Sequence, residues 1–268
     1  MTLADAILGV MGVVLLVGIV ADFLLTTIGA SYHALLSHHV ANYTWRIFTA
    51  ILPDRPGARV YIGPIVMTGV AAFWIFGTSL AWAMVFQFDD RAIVRMETGA
   101  PASWWMDLAY IGHLLSTLGG SLGKPGDIGW SLAAVLVAVN GMVILTLSVS
   151  FVLNTTQTVA EARAFLATSE ALEDRFTPHH GIAAQLANLV ANLNAVPLAL
   201  YYSSPNESRR VPGGLTALFE KTLKNGDAAA IRVLRRLLAG LPRFDPKESE
   251  DDAGYLKDLR RWSKAYEF

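Results

Sequence analysis

The chain contains no cysteine, so neither a disulfide framework nor a thiolate metal site is open to it. Charge is scarce. Only 16% of its 268 residues are Asp, Glu, Lys or Arg, against about 25% in soluble domains. The mean hydropathy is positive, +0.42, so part of the chain is expected to face lipid. The net charge of −1 provides no basic surface for nucleic acid. There is no internal repeat and no low-complexity tract. P-loop and G-x-G-x-x-G patterns are missing, which argues against a nucleotide-binding domain. No Arg-rich helix is present, so strong voltage sensing is not expected.

The charge that does occur is unevenly placed. After residue 158 lie 15 of the 21 Lys and Arg and 14 of the 22 Asp and Glu. That division separates an apolar membrane part from a charged part of ordinary composition. Three long apolar runs stand in the first part. Ala6 to Ile28 is apolar except for Asp22, lacks the basic start of a signal peptide and is too long for one. Tyr61 to Phe88 carries no charge, and its Gly63, Gly69 and Gly77 allow close helix contacts. Ile128 to Ala160 is free of charge for 33 residues. As a helix it would reach on the order of 50 Å, beyond a bilayer core of about 30 Å. It is expected to span to about Gln157 and either tilt or project past the membrane into the cytoplasm, with Val159 to Phe176 continuing the helix. Between the second and third runs, Ser103 to Ser116 opens on Trp104 and Trp105. At about 14 residues it is too short to cross, and it fits a re-entrant half-helix.

Basic residues in short loops set orientation. The loop from Ala30 to Arg59 holds Arg46, Arg55 and Arg59 against Asp54. The loop from Asp89 to Asp127 holds five acids against Arg91, Arg95 and Lys124. The first is therefore expected inside and the second outside. The N-terminus is then outside, the C-terminal part is cytoplasmic, and the half-helix enters and leaves from the outer side.

After the half-helix the sequence reads Ser116-Thr117-Leu118-Gly119-Gly120-Ser121-Leu122-Gly123-Lys124-Pro125. This resembles the pore region of the potassium channel superfamily, whose signature runs T-V-G-Y-G-D, two residues, then P. Thr117, Leu118, Gly119 and Pro125 fall in register. Tyr110 and Ser116 fit pore-helix positions, and Asp107 lies about where many members carry an acid. Gly120, Ser121 and Leu122 replace the tyrosine, the second glycine and the aspartate. The resemblance covers about residues 60–158. More weakly, Ala21 to Thr27 is similar to an added N-terminal helix of some prokaryotic channel-like proteins. The resemblance implies a filter at Thr117, Leu118, Gly119, Gly120 and Ser121. It also implies four copies around one axis, because a ring of carbonyls needs one loop from each of four chains. The permeant ion is then a monovalent cation, potassium or with weak selectivity. No bound cofactor is implied. The same resemblance makes the third run the inner, cavity-lining helix. Asn140, Ile144, Leu147 and Phe151 recur there at helical spacing, with Ser148 and Asn154 close by. Gly141 stands where the family often has a hinge, and helix packing is an equal reading of that glycine.

Other residues have plainer readings. His33, His38 and His39 form H-x4-HH, which resembles the boxes of membrane di-iron enzymes. Too few further histidines exist for matching boxes, and the segment Tyr32 to Ile51 reads as an amphipathic helix on the membrane. Asp22 is an acid near the cytoplasmic end of its span, either functional or snorkelling to water or pairing with a basic residue of the next loop. His113 is read as a buried, hydrogen-bonded histidine rather than a pH switch. The C-terminal part reads as helices over Ile182 to Tyr202 with a break at Pro197, Gly214 to Leu241 with Arg232, Arg235 and Arg236 on a basic face, and Glu250 to Phe268. It carries no ligand motif and is read as serving assembly or coupling an unknown cytoplasmic regulator.

The sequence thus predicts an all-α, multi-pass cell-membrane protein with three transmembrane helices, a re-entrant pore helix with its filter loop, and a helical cytoplasmic domain. Residues 1–30 form the first transmembrane segment, 31–59 a cytoplasmic amphipathic loop, 60–158 the pore domain and 159–268 the cytoplasmic domain. The expected function is a homotetrameric ion channel in the bilayer. The competing reading is a non-conducting membrane sensor or assembly protein on the same scaffold.

Overall fold

The computed structural model describes residues 3–27, 35–52, 57, 60–118, 123–171, 180–246 and 251–266. Most of these are helical. Three helices are long and apolar enough to cross a membrane: α1 (Leu3–Thr27), α3 (Ile62–Phe86) and α5 (Ile128–Ala171). Nothing inside them breaks a helix, since the proline of α3, Pro64, stands in its first turn, where its missing N–H costs little. The 44 residues of α5 amount to about 66 Å, so one continuous helix runs through the boundary between apolar and charged sequence. Helix α2 (Leu35–Ile51) lies between the first two spans in sequence. Helix α4 (Trp104–Leu115) is the short helix before the glycine loop.

A feature absent from the all-α expectation is a two-stranded antiparallel ribbon. Strand β1 (Ile93–Arg95) pairs with β2 (Gly123–Pro125), with Val94 opposite Lys124. Three residues on each side are too few for an alternation that sequence reading would detect. The ribbon forms because the chain returns after α4 to where it set out.

The described contacts group into two interleaved units. Unit 1 draws on 1–27, 34–37 and 70–151. Its core joins Trp82 and Phe86 of α3, Ile93 of β1, Tyr110, Ile111 and Leu115 of α4, and Ala134 and Val137 of α5. Gly12 of α1 lies so near α3 that a side chain there would meet the Val85 nitrogen at 2.7 Å and the Ala81 oxygen at 2.9 Å. Gly77 receives the Ile19 side chain. Small residues let membrane helices approach in this way.

Unit 2 draws on 38–69 and 152–246 and 251–266 among the described residues. Its core is built from Phe165 and Leu166 of α5 with Leu186 and Leu193 of α6 (His180–Ala195). To these are added Leu215 and Phe219 of α7 (Val211–Asn225), Leu234 and Leu238 of α8 (Ala228–Leu238), and Tyr255 and Trp262 of α9 (Asp252–Lys264). The expected break at Pro197 is present: α6 stops at Ala195 and a 3-10 turn covers Pro197–Tyr201. The single helix expected over Gly214 to Leu241 is instead two. Gly226 takes φ +70° after α7, a conformation that favours glycine. Asp227 then caps α8 by accepting from the Ala229 and Ala230 amides. Arg235, read as part of an open basic face, is instead 3.2 Å from Asp252 and lies over the Tyr255 ring at 5.1 Å.

Candidate functional site

Helix α4 is amphipathic over its 12 residues. Tyr110, Ile111 and Leu115 are buried in unit 1, whereas Trp105 is 75% exposed. At about 18 Å long it is half the depth of a bilayer core. Its last turn is held by the third span. A side chain at Gly141 would lie 2.4 Å from the Leu115 carbonyl oxygen and 2.6 Å from Leu115 Cα. Only hydrogen fits between the two backbones. Gly141 lies 13 residues into α5, about 20 Å along it, so the end of the half-helix rests well below the start of the span.

Beyond Leu115 the helix closes with a two-bond cap. The Leu118 amide donates to the His113 carbonyl at 3.0 Å and the Thr117 amide to the Leu114 carbonyl at 3.1 Å. Such a cap requires a left-handed residue, usually glycine. Here it is Thr117, at φ +60°, a costly angle for a β-branched residue. The left-handed turn thus comes two residues ahead of the glycine pair. Thr117 and Leu118 are exposed. Gly119, Gly120 and Ser121, the rest of the expected filter, lie outside the described residues, as does Leu122.

On the return side, Gly123 fits against Ile93 and Tyr110. A side chain there would meet Ile93 Cγ2 at 2.8 Å and Tyr110 Cδ2 at 3.6 Å. The Gly126 amide donates to the Ala92 carbonyl at 3.1 Å, and Asp127 accepts from the Trp130 amide at 2.9 Å at the start of α5. Asp89 accepts from the Trp130 indole at 3.1 Å. The Arg91 amide and then that indole hold the Asp89 carboxyl below the usual carboxylate range. Asp107, in the first turn of α4, is buried and accepts from Gln87 Nε2 at 2.9 Å. The segment from β1 to β2 is therefore fastened at both ends to the same ribbon.

The residues expected to line a cavity are placed differently. Asn140 accepts from the Trp82 indole at 3.1 Å, Gly141 receives Leu115, and Ile144 is 3% exposed. Phe151 packs edge-on against Trp74 with centroids 5.4 Å apart. Leu147 is half-buried, and the Ser148 hydroxyl is enclosed with no hydrogen-bond partner among the described residues. The helical spacing correctly grouped these side chains, but on the face packed against α3 and α4. Spacing fixes which residues share a face, not which way it points. A flanking stripe of the same helix carries Thr146, Ser150, Asn154 and Gln157, all exposed. Polar residues at i, i+4, i+8 and i+11 in an apolar helix were the signal for this stripe.

Asp22 neither reaches water nor pairs with a cation in the hydrogen bonds of the described residues. It accepts from the Leu36 amide at 2.9 Å, from the Ser37 amide at 3.0 Å and from the Ser37 hydroxyl. It therefore satisfies the start of α2 from across the fold, a role usually taken by a local cap. The Trp74 indole donates to the Ser37 hydroxyl at 2.9 Å and Phe23 meets the Trp74 ring edge-on. His113 is not buried. It lines an open cleft with Trp105 and Arg95. Among the three clustered histidines, His33 lies outside the described residues.

No family model matches the chain, and no solved structure does. A curated relative, the "Uncharacterized membrane protein YdjJ" of Bacillus subtilis (strain 168), is 24% identical over 212 residues. The match covers 72% of this chain and 62% of the relative's length. That likeness and the three long apolar helices support the same coarse conclusion: the chain is a mostly helical membrane protein.

Proposed function

We propose that the chain is one subunit of a homotetrameric, potassium-channel-like pore for monovalent cations. The observation that carries this reading is the seat of Leu115 on Gly141. A simple turn between two helices has no need to drive a half-helix against the third span and tie its outward and return strands together. A pore loop needs both. The half-helix then enters and leaves on one side, and the negative end of its dipole favours a cation near Thr117. Irregular backbone at membrane depth is tolerated where protein or water surrounds it, and four copies provide that enclosure.

The exposed stripe Thr146, Ser150, Asn154 and Gln157 replaces the earlier candidates as the cavity face. Polar groups are costly against lipid, and a water-filled vestibule below the filter accommodates them. The exposed face of α4, led by Trp105, is left for the adjoining subunit.

The test is flux from liposomes loaded with potassium or sodium, alongside cross-linking in detergent. Cation flux that falls when Ser150 and Asn154 are replaced by leucine, from a cross-linked tetramer, is expected. A stable species of another order, or no flux of either ion across pH, voltage and tension, would overturn the proposal and favour a non-conducting sensor or assembly protein.

A further inference from the structure

A second constellation lies wholly in unit 2, far in sequence from the half-helix. Helix α2, the 3-10 turn at Pro197–Tyr201, the segment after α8 and the end of α9 line an open cavity of about 400 Å³. Three cations reach its rim: Arg46 from α2, Arg243 from the turn before α9, and Lys264 from the last turn of α9. No carboxylate lines it among the described residues. The described ion pairs use none of these three cations.

The floor is aromatic and rigid. Trp45 meets Tyr201 at 6.4 Å between centroids, Tyr201 meets Tyr266 at 5.5 Å, and Tyr266 meets Trp262 at 5.6 Å. Trp262 is fixed in turn, its indole donating to the Pro242 carbonyl at 2.9 Å. The next residue, Arg243, holds φ +57°. A non-glycine residue in that region stores strain, which collects at functional sites. Arg243 also touches His38 Nε2. Burial first, then Arg243 and His39, push His38 down to about 4. A neutral imidazole beside Arg243 leaves the cationic rim unopposed by any carboxylate among the described lining residues.

We propose that this cavity binds a phosphate-bearing anion, with Arg46, Arg243 and Lys264 as its ligands and the four rings as its wall. Guanidinium groups pair with phosphate oxygens through paired N–H bonds. The amphipathic character of α2 suits a site at a membrane surface, so the same phosphate chemistry is available from an anionic lipid headgroup or from a soluble phosphate.

The experiment uses the full chain in two arms. In the first, nanodiscs of phosphatidylcholine with phosphatidylglycerol are disrupted and retained lipid is counted by native mass spectrometry. In the second, sodium pyrophosphate is titrated calorimetrically into delipidated protein in neutral detergent. The triple variant R46Q/R243Q/K264Q should bind more weakly by roughly fivefold per cation, on the order of a hundredfold in all. Loss in the first arm identifies lipid as the source, and loss in the second a free phosphate. R209Q/R232Q/R236Q removes the same charge from exposed positions outside the cavity and should bind as the unaltered chain does. Arg243→Lys keeps the charge but loses the paired N–H bonds, so it should bind between the unaltered chain and the triple variant, which separates a binding defect from misfolding. Equal losses in the two triple variants, or no loss in either arm, overturn the proposal.

Discussion

Replacing Gly141 by alanine sets two physical effects against each other. In a helix interior alanine is favoured over glycine by about 0.8–1.0 kcal/mol. At Gly141 the new methyl would sit 2.4 Å from the Leu115 oxygen, 2.6 Å from its Cα and 2.8 Å from its carbonyl carbon. All three are backbone atoms, so no rotamer change relieves the overlap. Reaching an ordinary 3.4 Å contact moves the end of α4 away from α5 by about 1 Å. Overpacking of this kind costs typically 1–3 kcal/mol. Gly18→Ala in α1 is the internal standard, because nothing lies within 4 Å of a side chain there. The difference between the two variants isolates the steric cost. At roughly 2–4 °C per kcal/mol for a chain of this size, G141A should melt about 2–12 °C below G18A in detergent. Under the channel proposal it should also reduce cation flux from liposomes, since the filter rides on the displaced turn. Equal melting temperatures for G141A and G18A would refute the close approach of α4 and α5, and with it the main support for a pore loop.

Thr117→Gly removes a β-branched residue from φ +60° and should stabilise the chain by on the order of 1 kcal/mol. Flux should fall in the same variant if the threonine hydroxyl helps hold the ion, and a lower melting temperature would contradict the left-handed cap. For Trp82 and Asn140, joined at 3.1 Å, a double-mutant cycle with W82F and N140L should give a coupling of about 0.6 kcal/mol, the average for polar pairs between membrane helices. Strict additivity would refute the bond. His38, held down to about 4, binds a proton more weakly folded than unfolded. Stability should therefore be full above the ordinary histidine range and fall as pH drops from about 6.5 toward 4. Arg243 and His39 face it, with Arg46 and Lys264 lining the same cavity. The pH dependence of melting should flatten in H38Q, and an unchanged profile would exclude this origin.

Much of the architecture was legible because it follows from local composition. Long apolar runs gave α1 and α3 to within a few residues at their ends, and gave the start of α5, which continues past the charge-free run to Ala171. The span too short to cross gave α4 from Trp104 to Leu115. Proline ended α6 where expected. The errors share a cause. The division of Gly214 to Leu241 into two helices depended on Gly226 and Asp227 acting together as stop and start, inside a pattern that otherwise reads as continuous. Asp22 was expected to seek water or a cation, because nothing local says that the start of α2 arrives beside it. The ribbon of β1 and β2 pairs residues 30 apart and leaves no local trace.

What the sequence determined by itself is the partition between lipid and water, since transfer free energy depends on composition and length alone. It also determined the end of α6 ahead of Pro197. Only the tertiary structure decided direction. It packed Asn140, Gly141, Ile144 and Phe151 against neighbouring helices and left Thr146, Ser150 and Asn154 exposed. Periodicity defines a helix face but carries no reference direction, and that reference comes from close packing against α3 and α4. The meaning of Gly141 was settled the same way. Its sequence position allowed a hinge or a contact, and the Leu115 backbone lying within a methyl's width makes it a contact.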